Sequence, residues 1–179
     1  MPKKLPHNKQ LQKECEQLWK EIIELRDGRE CLVKKYFPMI KITHTGIYQA
    51  DHCFTRGNKH LFLDPANGNM VCAACNMAKH YDNKSVKRVI DYITQQRVGR
   101  AKWKAMLECD MTMGPNVNWG KIWWLEERKE TLTREKENLN QRTSESFVID
   151  RQPKRQSKAR EQWTQGVQMG DLFTDIEPI

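Results

Sequence analysis

The sequence predicts an α+β protein, in which several helices surround a short region of strands. Apolar residues recur at three- and four-residue spacing in much of the chain, which is typical of amphipathic helices. The segments with this pattern are 8–26, 85–96, 100–109 and 118–139. Two runs rich in β-branched and aromatic residues, 37–43 and 48–54, predict two strands joined across Gly46. Together these patterns favour a small mixed fold over an all-helical one.

Composition and periodicity divide the chain into four segments. They are an N-terminal helix at 1–28, a core with the strands at 29–83, a helical subdomain at 84–141 and a tail at 142–179. Asn8 has the residue type and place of an N-cap for the first helix. Residues 142–166 are polar and basic and have little apolar surface to bury, so we expect the tail to be disordered.

Charge indicates a polyanionic partner. The formal net charge is +8 and the isoelectric point is about 9.2, which favours DNA or RNA. No segment is apolar and long enough to cross a bilayer, and the first residues lack the apolar region of a secretory signal. We therefore expect a cytoplasmic protein without a membrane partner. In such a reducing compartment the six cysteines are thiols or metal ligands rather than disulfides.

The stretch "ADHCFTRGNKHLFLDPANGNMVCAACNMAK" (50–79) contains the residue types that hydrolysis of a phosphodiester requires. A divalent metal needs oxygen ligands, and Asp51 with Asn76 would supply them. A general base must take a proton from water, and His52 would serve. Asn67 would orient His52 by a hydrogen bond. Because neighbouring side chains on a strand point to opposite faces, Asp51 and His52 need a bend or bulge to share one site.

The order of these residues resembles that of the HNH endonucleases, which have a ββα-metal core. Here it reads "DH" at 51–52, "N" at 67, "CAACN" at 72–76 and then Lys79. With asparagine at the third position, the chain looks like the His-Asn-Asn variant, and it is similar to small phage HNH proteins such as the NinG/Rap recombination nucleases.

The resemblance implies a ββα-metal core at 29–83 and a DNA endonuclease that uses Mg²⁺ or Mn²⁺, encoded by a phage or prophage for recombination or DNA processing. His52 would be the general base, Asn67 would position it, and Asp51 and Asn76 would hold the metal. Taken singly, each residue also has a structural interpretation: a hydrogen-bonding histidine, a turn-forming Asn67 and Asn76 as a helix N-cap. Their joint spacing favours the nuclease.

The cysteines raise a separate question, that of a structural zinc ion. Cys72 and Cys75 have the spacing of half a zinc site. Members of the family usually add a second Cys-x-x-Cys before the Asp-His strand, whereas this chain has Cys31 followed by Lys34 at the expected position. Two ligand sets stay open: Cys31, Cys72 and Cys75 with either His44 or Cys53. The alternative is that zinc is absent and the thiols pack as small apolar groups.

Basic residues flank the motif and are suited to contacts with DNA phosphates. They are Arg56, Lys59, Lys79, Lys84, Lys87 and Arg88. The charged helix at 118–139 would also allow a homodimer. The end of the tail, 168–179, combines acidic and apolar residues and resembles a sliding-clamp-binding peptide, with an acidic solubilising end as the alternative.

Two other function classes compete with the nuclease. One is a non-catalytic, zinc-containing DNA-binding module in which Asp51 and His52 are structural. The other is an RNA-binding or protein-interaction adaptor that works through its tail. The first predicts DNA binding without cleavage, and the second predicts that residues 142–179 are essential.

Overall fold

The computed structural model describes residues 6–54, 56–81 and 84–149, with side chains as far as residue 142. Its elements in chain order are α1 (His7–Asp27), α2 (Leu32–Tyr36), β1 (Tyr48–His52), a 3₁₀ turn (Pro65–Asn67), β2 (Gly68–Cys72), α3 (Ala73–His80), α4 (Lys84–Val98), α5 (Arg100–Thr112) and α6 (Ile122–Ile149). The prediction of an α+β fold is confirmed.

The two strands form an antiparallel sheet, in which Asp51 pairs with Asn69 and His52 pairs with Gly68. A two-stranded sheet is not stable alone in water, so both of its faces have to be covered. α1 packs against one face, and α3 and α4 contact the same strands from the other side. The sheet is thus the middle layer of the fold, and every residue of β2 is buried.

The packing of α1 on the sheet builds the main core. Its buried face consists of Leu11, Cys15, Trp19, Ile22 and Ile23, which share a cluster with residues of β2 and α6. The approach to β2 is close because Gly68 has no side chain. A Cβ atom at Gly68 would lie 2.4 Å from Ile23 Cδ1 and 2.7 Å from Trp19 Cζ2, which is too short for any real contact.

α6 lies along α1 and closes this core. Leu125 and Leu132 are fully buried, and two ion pairs join the helices, Lys129 to Glu14 and Lys136 to Glu21, each at 2.7 Å. Because both pairs advance along the two helices in the same direction, α1 and α6 run parallel.

A buried polar network ties α4 to the start of β2. Arg97 donates to the carbonyl oxygens of Ala66 and Gly68 and to Asn69 Oδ1, at 2.7–2.9 Å. Asn69 in turn donates to Thr94 Oγ1 at 2.8 Å. Burial lowers the pKa of Arg97 to about 10, which still leaves the guanidinium charged at neutral pH. The network gives hydrogen bonds to backbone carbonyls at the start of β2, and the Gly68 carbonyl also accepts from Arg26 Nη2 at 2.7 Å.

The predicted helices are all present, but the predicted strand at 37–43 is wrong. That segment contains a turn and irregular backbone, and Met39 within it is 58% exposed. Pro38 lacks the N–H group that a strand interior needs. The partner of β1 is Gly68–Cys72, a segment for which the sequence analysis predicts no strand.

The boundaries of the helices also differ. The first helix begins at His7, with Pro6 in the capping position, so the prediction of Asn8 as N-cap is wrong. Asn8 lies in the first turn and accepts from the backbone N–H of Lys9. α6 continues to Ile149, so the helix extends past residue 142, where the sequence had predicted a disordered tail. The rest of the tail, including the predicted clamp-binding peptide at 168–179, lies outside the described residues.

The described residues up to Arg142 form one compact unit, in which the described parts of the predicted segments 1–28, 29–83 and 84–141 pack together. In the part of the chain that the structure describes, no helix is long and apolar enough to span a membrane.

Gly68→Ala should destabilise the protein. The new Cβ would push α1 away from β2, and we expect a loss of about 1–3 kcal/mol in the free energy of unfolding. Gly46→Ala is the matched control, because a Cβ atom added at Gly46 would have no other atom within 4 Å. Chemical denaturation measures both, and an equal, small effect in the two variants would contradict the close packing of α1.

Candidate functional site

His52 lies at the end of β1 in a stack of aromatic rings. Its imidazole is nearly parallel to the indole of Trp19, with centroids 4.1 Å apart and planes at 6°. It is also nearly parallel to the ring of Phe62, at 4.9 Å and 7°. Trp19 belongs to α1 and Phe62 to the loop before the 3₁₀ turn, so two separate parts of the chain hold the plane of the His52 ring.

A hydrogen bond fixes the remaining orientation of this ring. His52 Nε2 lies 2.8 Å from the carbonyl oxygen of Phe62. Because a carbonyl only accepts, Nε2 carries a proton. Burial lowers the pKa of His52 to about 4, so the ring is neutral at pH 7 and its Nδ1 atom is unprotonated. Nδ1 is buried and has no hydrogen-bond partner among the described residues.

Asn67 acts on the backbone around His52 rather than on its ring. Its Oδ1 accepts from the N–H of Phe54 at 2.7 Å, and its Nδ2 donates to the carbonyl of Leu61 at 3.1 Å. Its own carbonyl accepts from the N–H of Cys53 at 2.7 Å. The predicted direct hydrogen bond to the imidazole is therefore replaced by an indirect effect: Asn67 joins the segment that follows His52 to the segment that carries Phe62.

A small cavity adjoins His52. Its volume is about 50 Å³, and its walls include Trp19 and Phe62 together with the charged residues Glu16, Lys20 and Arg56. The cavity has room for at least one water molecule. It lies on the face of the sheet that α1 covers, since Ala50 also lines it.

Asp51 points to the opposite face and forms an ion pair with Lys79 of α3. The Lys79 ammonium contacts the Asp51 carboxylate and also donates to the His52 carbonyl at 2.6 Å. The two side chains are only 4% and 8% exposed, so the pair is buried. The structure thus places Lys79 inside the protein, away from the surface on which a predicted phosphate contact would lie.

The regular pairing of β1 keeps Asp51 and His52 apart. It continues to His52 without the bulge that a shared site requires. Asn76 lies on α3, on the Asp51 side, one helical turn before Lys79. Its Oδ1 atom is buried and has no hydrogen-bond partner among the described residues. Since the N-cap of α3 is Cys72, Asn76 does not serve as a cap.

The structure also contains a cluster of four potential metal ligands. Cys31, His44, Cys72 and Cys75 place their ligand atoms within 4.8 Å of one another. His44 Nδ1 lies 3.5 Å from Cys72 Sγ and 3.4 Å from Cys75 Sγ, and the Sγ atoms of Cys31 and Cys75 are 3.7 Å apart. Of the two ligand sets that the sequence left open, the structure therefore favours the one with His44.

The dimensions of this cluster suit a tetrahedral metal ion. A tetrahedron with Zn–S distances of about 2.3 Å and Zn–N distances of about 2.1 Å has edges of roughly 3.5–3.8 Å. The hydrogen bond between the two thiols lowers the pKa of Cys31 to about 4 and raises the pKa of Cys75. One thiolate is thus favoured before any metal binds, and thiolate is the form that ligates.

Cys53, the alternative fourth ligand, lies elsewhere. Its thiol donates to Asp91 of α4 at 3.3 Å. Burial raises the pKa of Cys53, so it stays a neutral thiol. It belongs to the packing between β1 and α4 and not to the cluster.

The other predicted phosphate contacts have varied surroundings. Arg56, Lys84, Lys87 and Arg88 are exposed. Lys87 pairs with Asp91 at 2.6 Å. The Lys59 ammonium lies over the rings of Phe62 and Trp119, at 4.2 and 4.8 Å from their centroids. Arg56, which lines the cavity at His52, and Lys59 are thus the predicted contacts on the side of the His52 ring.

The sequence did not identify two residues of the site, Trp19 and Phe62. Both belong to apolar patterns that are equally well explained by core packing. No local signal relates Trp19 to His52, because their contact depends on the position of α1 over the sheet. Comparison with protein-family models, curated proteins and solved structures finds no match to this chain.

Lys79→Met should destabilise the protein by about 3 kcal/mol, because it leaves the Asp51 carboxylate buried and unpaired. The double variant Asp51→Asn/Lys79→Met should lose less free energy of unfolding than Lys79→Met alone, since it removes both charges. Lys87→Met, which breaks an exposed ion pair, is the control and should change the free energy of unfolding by less than about 1 kcal/mol. Chemical denaturation of the three variants tests the pair, and equal losses for Lys79→Met and Lys87→Met would contradict it.

Proposed function

We propose that this protein is a metal-dependent DNA endonuclease of the HNH type. The observation that carries the proposal is the geometry of His52: a ring held in one orientation, with its Nε2–H donating to a backbone carbonyl and its buried Nδ1 without a hydrogen-bond partner among the described residues. An enzyme needs its general base in one tautomer and one orientation. The order of Asp51, His52, Asn67 and Asn76 along the chain supports the same assignment, although Asp51 and His52 leave opposite faces of β1.

In the proposed reaction His52 Nδ1 takes a proton from a water molecule as the water oxygen attacks phosphorus. The bond from phosphorus to the 3′-oxygen breaks, and that oxygen takes a proton from solvent to leave a 3′-hydroxyl and a 5′-phosphate. The cavity beside the imidazole gives water a place to bind near the base. The imidazolium then releases the Nδ1 proton to solvent. Because the Phe62 carbonyl accepts the hydrogen bond from Nε2 throughout, His52 returns to the same neutral tautomer.

Asp51 and Asn76 are the residues that would hold Mg²⁺ or Mn²⁺. Both offer oxygen atoms, which hard cations prefer. Asn76 Oδ1 fits this role because it is buried and has no other partner among the described residues. Asp51 would have to exchange the Lys79 ammonium for the metal, since the two cations would compete for one carboxylate. When bound, the metal would stabilise negative charge on the phosphate and on the leaving oxygen.

DNA is the proposed substrate because of the charge of the chain and the basic residues near His52. Arg56 lines the cavity at His52, and Lys59 lies over Phe62. Contacts of this kind neutralise phosphates and make affinity depend strongly on salt. They read no base sequence by themselves.

His52→Ala should abolish metal-dependent cleavage. We expect a loss of at least about 100-fold, the usual contribution of a general base. Supercoiled plasmid and a four-way junction would each be incubated with wild type and variant in Mg²⁺, Mn²⁺ or EDTA. His60→Ala is the control, because His60 bonds the Gly114 carbonyl and has no part in the stack. Equal cleavage by wild type and His52→Ala would exclude His52 as the base.

We also propose that the cluster of Cys31, His44, Cys72 and Cys75 binds a structural zinc ion. The donor set of three thiols and one imidazole is typical of closed zinc sites. Zinc would link the start of α2, the segment before β1 and the start of α3.

The purified protein should therefore contain about one zinc ion per chain. Cys75→Ser should lower both the zinc content and the melting temperature, because it removes a ligand. Cys53→Ser is the matched control: it changes a buried cysteine outside the cluster and should keep the zinc. Elemental analysis of the three proteins measures this, and equal zinc contents in both variants would exclude Cys75 as a ligand.

The second candidate function is a non-catalytic, zinc-containing DNA-binding module. Two observations favour it: Lys79 already neutralises Asp51, and Asp51 and His52 leave opposite faces of the sheet. On this proposal His52→Ala leaves DNA affinity unchanged, and wild type cleaves neither substrate with any metal. The cleavage experiment above separates the two candidates.

A further inference from the structure

The N-terminal helix contributes directly to the surroundings of the candidate base. Trp19 is the residue of α1 that stacks on His52, and it is only 2% exposed. Its own position is fixed, because Nε1 donates to the carbonyl of Asp64 at 3.0 Å. The contact also requires Gly68, since a side chain there would clash with the indole. α1 is thus locked against the sheet at the point where it meets His52.

Two different constraints are needed to fix an imidazole. Parallel stacking fixes the plane of the ring, because tilting it loses contact area with both neighbours. Stacking does not distinguish the two orientations related by a half-turn of the ring. The hydrogen bond from Nε2 to Phe62 makes that distinction. With both constraints, Nδ1 occupies one place, and its lone pair points in one direction.

We propose that Trp19 is a positioning residue of the nuclease site: by stacking on His52 it holds the imidazole plane in which Nδ1 acts as the base. This inference rests on the proposed function for its catalytic meaning. Its structural content stands separately: the indole holds the ring plane in which the hydrogen bond from Nε2 to Phe62 selects one tautomer of His52. Trp19 touches no substrate on this proposal and acts only through His52.

The test compares variants that remove the aromatic ring with variants that keep it. Trp19→Met retains apolar bulk but loses the stacking surface, and Trp19→Phe retains a ring but loses the indole N–H. Phe62→Leu removes the other stacked ring and keeps the carbonyl acceptor. Trp124→Leu is the matched control, because Trp124 packs against the same core and its ring contact is with Trp119. Thermal unfolding first shows which variants are folded at the assay temperature.

Two readouts follow, cleavage kinetics and the nitrogen spectrum of the histidine rings. We expect Trp19→Met and Phe62→Leu to lower kcat by about 10–100-fold, because small displacements of a reacting group have effects of this size. KM of Trp19→Met should change less than about threefold, since Arg56 and Lys59 are untouched in that variant. Trp19→Phe should keep kcat within about threefold of wild type, and Trp124→Leu should match wild type.

The spectrum of protein labelled with ¹⁵N at histidine reports the tautomer without any activity. The signals of His52 are identified by their loss in His52→Ala. Wild type should show one neutral form with the proton on Nε2, and Trp19→Met should show both tautomers.

The inference is overturned if folded Trp19→Met and Phe62→Leu keep the wild-type spectrum, whatever the kinetics. If the wild type cleaves no DNA but Trp19→Met shows both tautomers, the nuclease is refuted and Trp19 remains the residue that orients His52.

Discussion

The close approach of α1 to β2 at Gly68 is the constraint on which the rest of the structure depends. A sheet of two strands exposes too much surface to persist alone, and α1 removes most of it on one face. The absence of a side chain at Gly68 lets Trp19 and Ile23 reach the strand backbone. The same approach creates the core that α6 completes, and it brings the indole of Trp19 onto the imidazole of His52. The close approach at Gly68 therefore determines both the packing of the core and the geometry around His52.

The opposite face of the sheet is polar, and its buried side chains are paired with charged residues. Asn69 and Asp51 point towards α4 and α3 and receive partners from Arg97 and Lys79. A buried ion is tolerated only with good hydrogen bonds, and both cations here also bind backbone carbonyls. This polar face is costly compared with an apolar one.

The sequence predicted the helices well because their apolar periodicity is a local property. The spacing of Asp51, His52, Asn67 and Asn76 also predicted that they share one site, whereas the regular pairing of β1 places Asp51 and His52 on opposite faces. β2 was missed because Gly68 and Asn69 are turn-forming residues whose strand conformation is decided by α1 and Arg97, which are remote in sequence. The choice of His44 over Cys53 was not predictable either, since it depends on the irregular path before β1. The contact of Trp19 with His52 likewise depends on tertiary packing alone.

α3 contributes a residue to each of the two candidate metal sites, Cys75 to the cluster and Asn76 to the other. α3 has only eight residues, and its N-cap makes no side-chain hydrogen bond, so it is too short to be stable alone. Cys75 holds its first turn in the thiol cluster, and Lys79 holds its last turn against Asp51. Asn76 lies between these two attachments. A metal ion in the cluster would therefore fix the position of Asn76, and loss of that ion would displace both Asn76 and Lys79 through the helix that carries them.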